Sequence, residues 1–308
     1  MNTLALQGGG ILGYQQSIIL TELEKRAAKL CWQLFGMIGG TSVGSIIGAG
    51  LSIGIPAFQI QSFFTIDAPV IFKSSLLNIL EELWGTKYSA TNIESCLKTM
   101  LGTATLRDCK TKFIATAYDV TSDRPVYFRS YEGSWADENV IVIGNDSDIM
   151  LWQVCRASSA AQTYFPAFQF TESKLNNLEM VLMDGGNTGD NAPDLLVYSE
   201  ALQFTQDQIR MLSLGTGNCK WNINSGAMIN AGIARAGLET IKILFSVGVD
   251  SQIEKARKIL APNHFHISPD LGDGIAIDDA SSGSLNKMRD AVSLEIIENS
   301  AALNEFVS

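Results

Sequence analysis

The chain has 308 residues, 46% of them hydrophobic and 18% charged, with a formal net charge of −10. That composition supports one large core and excludes a disordered chain. The negative balance argues against long-range attraction to a polyanion, so a nucleic acid polymer is not an expected partner, and an anionic bilayer has to be met by apolar contact.

In chain order, Met1 to Leu6 runs straight into glycines with no basic segment and no cleavage site, so no secretory signal is legible and the cytoplasm is the expected compartment. Thr3 to Gln7 predicts a short buried strand. Gly8, Gly9 and Gly10 then turn the chain into a helix carrying Ile19, Leu23, Ala27 and Leu30 at helical spacing. A second apolar run, Leu34 to Ile38, ends at Gly39-Gly40. After Ser42 the spacing predicts a helix with Ser45, Gly48, Ala49 and Ser52 on one face, small enough to lie close to a sheet. No charge occurs between Lys29 and Asp67, a length that matches a bilayer span. The seven glycines and Pro56 in that stretch instead favour a strand, turn and helix buried in protein.

Pro56 to Trp84 is rich in Phe and Ile, with a better-charged helix around Leu76 to Trp84. A lid or membrane-facing flap is one reading of it, and ordinary core packing the preferred one. Strands are expected at Phe113 to Tyr118, Val126 to Arg129, Glu179 to Met183 and Met211 to Leu214. Helices are expected near Asp148 to Ala157, Asp194 to Leu202, Ala227 to Val247 and Leu285 to Phe306. The alternation predicts an α/β fold of three layers, a mainly parallel central sheet flanked by helices. A single domain over residues 1–308 is expected, its part 218–308 helical. The five cysteines (Cys31, Cys96, Cys109, Cys155, Cys219) show no CxxC spacing and fit buried thiols in a reducing compartment.

Gly40-Thr41-Ser42-Val43-Gly44 is G-x-S-x-G between an apolar strand and a helix, the context in which a sharp turn lifts a serine hydroxyl out of a sheet. Gly40 and Gly44 suit so tight a turn, and the helix start offers N–H groups and a positive dipole end. A plain helix start capped by Thr41 or Ser42 is the alternative. Gly8, Gly9 and Gly10 form a second side-chain-free loop, able to supply N–H donors to an oxyanion. Gly8-x-Gly10-x-x-Gly13 also matches a dinucleotide fingerprint, but the next strand ends on glycines where that motif wants an acidic residue.

A serine needs a neighbouring base. His264 and His266 would complete a triad in the order of the α/β-hydrolases, although only about forty residues precede Ser42, too few for the strands such folds place before their elbow. Structural strand histidines, and not a His-x-His metal site, are the better account. Asp184 ends the run Met180 to Met183 and is followed by Gly185-Gly186; an Asp-Gly hairpin is the competing reading, but no second alternating strand follows. Asp184 is therefore the expected base, with no metal and no cofactor.

Together Gly8 to Gly13, Gly40 to Gly44 and Asp184 to Gly186 resemble the three signature blocks of the patatin-like phospholipases, in family order. The likeness extends to Arg156 to Ala161, Tyr164 to Pro166, Asn191 to Pro193 and Ser213 to Gly217, so it covers roughly residues 3 to 217. It implies a phospholipase A type of lipid acyl hydrolase acting on membrane phospholipid. In it Ser42 is the nucleophile, Asp184 the proton acceptor and the loop Gly8, Gly9 and Gly10 the oxyanion hole. It also implies a chain working peripherally at the inner face of the membrane. Bacterial members include antiviral effectors switched on by a cyclic nucleotide. Other readings are an esterase for non-phospholipid substrates, a nucleotide-binding regulatory module, or an inactive scaffold. The family's first block usually begins with Asp and carries a cation before its last glycine, where this chain has Gln7 and Leu12.

Overall fold

The computed structural model describes residues 1–72, 86–133, 137–220 and 248–307. The helices expected around residues 76–84 and 227–247 lie outside them. The main sheet is built from β1 (Asn2–Leu6), β2 (Met37–Thr41), β3 (Lys112–Asp119), β4 (Arg124–Arg129), β5 (Ile141–Ile143), β6 (Phe168–Glu172), β7 (Leu178–Asp184) and β8 (Arg210–Leu214), with a ninth strand from the C-terminal part. Outside it β9 (Asn218–Lys220) pairs with β11 (Asp270–Asp273). The ninth strand, β10 (His264–Ile267), corrects the expectation that residues 218–308 are simply helical: it hydrogen-bonds in parallel along β8. The order is β10-β8-β1-β2-β3-β4-β5, with β7 joined to β3 and β6 to β7. Pairings among β10, β8, β1, β2 and β3 are all parallel, and β7 runs antiparallel to β3.

Alternate residues of each central strand enter different layers, as a pleated strand covered on both faces requires. Leu4 and Leu6 of β1 belong to the larger apolar cluster, and Ala5 between them to a second cluster with Met37, Ile114, Val197 and Leu260. One layer holds α1 (Gly13–Ala27), the single turn α2 (Cys31–Leu34) and α3 (Val43–Ile53), followed by α4 (Ala57–Ser62), α5 (Ala68–Ile71), α6 (Ala90–Leu101) and α7 (Leu151–Ser158). The opposite layer holds α8 (Asp194–Ala201) and the helical stretch 248–260.

Helix α3 is buried from Val43 to Ser52, so it is apolar or small on every side. A Cβ at Gly48 would lie 3.0 Å from the Phe113 ring, the close helix-to-sheet approach that its small face predicts. On the other layer a Cβ at Gly39 would fall 2.2 Å from Val197 Cγ2, so α8 also rests directly on the backbone of β2. The C-terminal tail is helical as expected, over Ser282–Glu298 and Ser300–Asn304.

Candidate active site

Ser42 stands between β2 and α3 with φ +54° and ψ −123°, a conformation that costs a non-glycine residue about 1–3 kcal/mol. The glycines on either side explain how the chain holds it there. A Cβ at Gly40 would sit 2.2 Å from the Gly44 carbonyl oxygen, and one at Gly44 would sit 2.2 Å from that of Leu6. Ser42 is the N-cap residue of α3, but its side chain makes no capping hydrogen bond. Its backbone N–H donates to Ser158 Oγ at 2.9 Å, and its carbonyl accepts from Ser45 Oγ at 2.6 Å. The turn is thus clamped from α7 and from within α3.

Asp184 reaches this turn through strand geometry. β2 pairs with β3 as far as Thr41 opposite Thr116, and β7 pairs with β3 from Ala117 opposite Asp184. Because β4 occupies the other edge of β3, β2 and β7 share one edge and meet end to end, with Ser42 and Asp184 at the junction. The Asp184 N–H donates to Ala160 O at 3.1 Å, and its Oδ1 accepts from the Gly186 N–H at 2.8 Å. The chain continues into a 3-10 turn, Gly185–Thr188, and not into a hairpin. A Cβ at Gly185 would lie 2.1 Å from Thr116 Oγ1, which explains the glycine.

Burial pushes the Asp184 carboxyl up to about 6, against the opposing pull of the Gly186 N–H and the Ser42 side chain. The serine lies near enough to exert that pull without forming a hydrogen bond of standard geometry. Oδ2 is left buried with no partner among the described residues. A carboxylate one donor short is what a proton acceptor needs, and such contacts tighten when substrate binds.

The glycine loop departs from expectation at one position. Gly8 N–H donates to Asn191 O at 3.0 Å, so this donor is already taken. The N–H groups of Gly9 and Gly10 have no partner among the described residues and border the same cavity as Ser42. Gly10 has φ +57°, and a Cβ there would strike Ile277 O at 2.2 Å; Ile11 N–H donates to that same carbonyl at 2.8 Å. Leu12 is buried in the core, and the loop is held by backbone and amide bonds where the resemblance leads one to expect a cation. Gln16 Nε2 ties Gln7 O at 2.9 Å to Leu214 O at 2.8 Å. The end of β2 carries no carboxylate for a ribose: the Thr41 hydroxyl lies between Thr116 Oγ1 at 2.9 Å and Asp190 O at 2.6 Å.

A cavity of about 440 Å³ joins Ser42, Asp184 and the glycine loop. One wall is apolar, made by Val43, Ile46, Phe63, Phe64, Ile71 and Phe165. Phe63 and Phe64 open a π-helical turn, Phe63–Asp67, between α4 and α5, and both are buried. The wider turn aims them into the cavity while Phe58, Ile66 and Val70 of the same segment stay exposed. The Pro56 to Phe72 stretch is therefore core on one side and bare on the other.

The two histidines bind elsewhere. His264 Nε2 meets Asp194 Oδ1 at 2.7 Å, and His266 Nδ1 meets Ser213 Oγ at 2.9 Å; neither histidine is hydrogen-bonded to Ser42 or Asp184. Ser158 and Asn191 escaped sequence reasoning as parts of the site. Both stand in stretches that carry the family resemblance, and that was the only signal available for them.

A model of the patatin-like phospholipase family matches residues 4–196. The chain is 28% identical over 302 residues to a "cGAMP-activated phospholipase" of Pseudomonas aeruginosa, covering 94% of this chain and 86% of that one. It is 28% identical over 251 residues to "Patatin-like protein 1" of Arabidopsis thaliana, with 70% of this chain and 59% of the plant protein covered. Against "Patatin group J-1" of Solanum tuberosum the identity is 26%, over 70% of this chain and 60% of the other. The chain thus spans less than two thirds of these plant relatives. Among solved structures, VipD from Legionella pneumophila aligns at 11% identity with a TM-score of 0.43, over 96% of this chain and 67% of that one.

Proposed function

Because the chain belongs to the patatin-like phospholipase family of lipid acyl hydrolases, we propose that it cleaves fatty acyl esters of membrane phospholipids through an acyl-enzyme on Ser42, with Asp184 as the only proton acceptor. The observation that carries this reading is the junction of β2 and β7, where a strained serine meets a buried carboxylate with one oxygen unpartnered. As Ser42 Oγ attacks the ester carbonyl, its proton passes to Asp184 and the carbonyl oxygen gains negative charge. The unpaired N–H groups of Gly9 and Gly10 are the donors for that charge, Gly8 having given its N–H to Asn191. Collapse of the intermediate breaks the C–O bond; Asp184 returns the proton to the leaving alcohol, a lysolipid. Water, deprotonated by Asp184, then attacks the acyl-enzyme and releases the fatty acid and Ser42.

The apolar wall from Val43 to Phe165 suits the acyl chain. No helix among the described residues is long and apolar enough to cross a membrane. Bare Phe58, Ile66 and Val70 back onto the cavity wall, which supports docking at a lipid surface; the inner face of the membrane is the face the family resemblance implies. Likeness to the cGAMP-activated relative supports activation by a cyclic nucleotide, which accords with the antiviral role that the family resemblance implies.

Fluorophosphonate labelling and fatty acid release from defined phospholipid vesicles test the assignment, across a panel of cyclic nucleotides. Labelling and release should disappear in Ser42→Ala. Labelling that survives the substitution refutes the nucleophile, and a rate indifferent to every cyclic nucleotide refutes the activation.

A further inference from the structure

A second polar cluster borders the cavity on the side of β8 and β10. In parallel register His266 stands opposite Ser213, its Nδ1 2.9 Å from Ser213 Oγ. Its ring stacks nearly parallel to that of His264, at 7° and 6.3 Å between centroids. His264 Nε2 lies 2.7 Å from Asp194 Oδ1, with both side chains buried. Burial raises the Asp194 carboxyl, but hydrogen bonds from His264 and Ser213 outweigh it and hold the group below its usual range, as a carboxylate.

The donors in this chain of contacts are determined by what each group is able to give. A carboxylate only accepts, so His264 Nε2 donates to Asp194, and the Ser213 hydroxyl lies near enough to pull the same carboxyl down without a hydrogen bond of standard geometry. Between an anion and a neutral ring the hydroxyl hydrogen turns to the anion, the stronger acceptor, so Ser213 Oγ accepts from His266 and His266 carries its hydrogen on Nδ1. Burial holds the His266 imidazole down to about 4, so the ring is neutral near pH 7. Its Nε2 therefore bears a bare lone pair. That nitrogen has no hydrogen-bond partner among the described residues, and the ring lines the cavity that holds Ser42.

The same wall carries Asn191, Thr216 and Ser268, with Asp250 and Asp270 exposed at its mouth. No Lys or Arg lines the cavity among the described residues. The wall thus offers acceptors and negative charge.

Resting on the phospholipid reading above, we propose that His266 is a specificity-determining residue: its Nε2 accepts a hydrogen bond from the polar head of the lipid, and the cavity selects ethanolamine head groups. A primary ammonium brings three N–H donors and leaves the lipid without net charge. A choline head has the same charge but no N–H, and leaves the Nε2 lone pair unpartnered. A glycerol head has O–H donors, but its lipid is anionic and faces Asp184, Asp250 and Asp270. Ser213, His264 and Asp194 are positioning residues that hold the ring and its tautomer.

The test measures fatty acid release from detergent-dispersed phosphatidylethanolamine, phosphatidylcholine and phosphatidylglycerol of identical acyl chains, with the cyclic nucleotide panel present. Wild type, His266→Phe, His266→Gln and Ser213→Ala are compared, each by its own ratio of rates, so that loss of folded enzyme cancels. Wild type should prefer phosphatidylethanolamine about 10-fold over each of the other two, the size expected for one unmade buried hydrogen bond. In His266→Phe the ratio to phosphatidylcholine should fall to about one, for want of an acceptor. His266→Gln, which keeps an acceptor oxygen, should retain part of it, and Ser213→Ala should lose part of it. These two carry the test if the Phe variant does not fold. Equal wild-type rates on the three lipids, or ratios unmoved by all three substitutions, overturn the proposal and leave the phospholipase reading standing. A wild type that fluorophosphonate labels but that cleaves none of the lipids overturns both.

Discussion

Asp184 and Asp194 are almost equally buried, each about 1% exposed, yet they hold their protons in opposite directions. Asp194 is closed: His264 donates to it at 2.7 Å and adds Coulombic attraction, Ser213 pulls more weakly, and its carboxyl lies below the usual range. Asp184 is open: one N–H from Gly186 and a loose contact with Ser42 fail to offset burial, and its carboxyl rises to about 6. Burial is common to both, so the kind of partner separates them: an imidazole on Asp194, a backbone N–H on Asp184. The histidines fall on the closed side. His264 serves Asp194 and His266 pairs with Ser213, and neither is hydrogen-bonded to Ser42, in keeping with the proposed Ser42–Asp184 pair.

The largest effect expected on this contrast is that of Ser42→Ala, which should lower ester hydrolysis by about 10⁴-fold or more, read as initial rates on a soluble ester. Asp184→Asn should lower the same rate by about 10³-fold or more, and it should also make the protein more stable. The folded pKa of Asp184 is raised, so its contribution to stability is present below the unfolded value of 3.8 and lost as pH rises through about 6. Asparagine never ionises. Urea unfolding at pH 8 should then show the variant more stable by on the order of 2 kcal/mol, with no difference near pH 3.

Asp194→Asn should have the opposite sign, destabilising by about 3 kcal/mol at pH 7 because His264 and Ser213 lose their charged acceptor. Here the folded pKa is lowered, so the stabilisation is present above 3.8 and lost as pH falls below it. If the two variants shift urea midpoints in the same direction, the contrast between the carboxylates fails. A smaller test is the pH profile: kcat/KM should fall about tenfold per pH unit below an apparent pKa near 6, as Asp184 takes up a proton. Smallest of all, Ser42→Gly should abolish activity while raising stability by about 1 kcal/mol, because glycine adopts φ +54° without strain.

Much of this was legible in the sequence. The strands around Phe113, Val126, Met180 and Leu212 appear where apolar runs predicted them. The weaker elements were not legible. β5 has three residues, too few for any periodicity, and β10 is written His-Phe-His-Ile, half of it polar, because each imidazole finds one partner on another element, Ser213 or Asp194. The helix α6 buries Ile93, Leu97 and Leu101 four residues apart, a pattern present in the chain but diluted by the polar residues between them. The partner of Gly8 was not legible for the same kind of reason: nothing near it reveals that Asn191, far along the chain, takes its N–H.

The elbow belongs to the sequence alone. The clash between a Cβ at position 40 and the Gly44 carbonyl spans only four residues, so Gly-x-Ser-x-Gly after an apolar strand already dictates the strained turn. Whether Ser42 meets a carboxylate was decided by tertiary structure. It required β7 to take over the edge of β3 where β2 stops, and the base proposed for Ser42 also required a carboxylate one donor short among the described residues. Backbone sterics act between near neighbours in the chain, whereas the affinity of a buried carboxylate for a proton is set by every donor that distant segments bring to it.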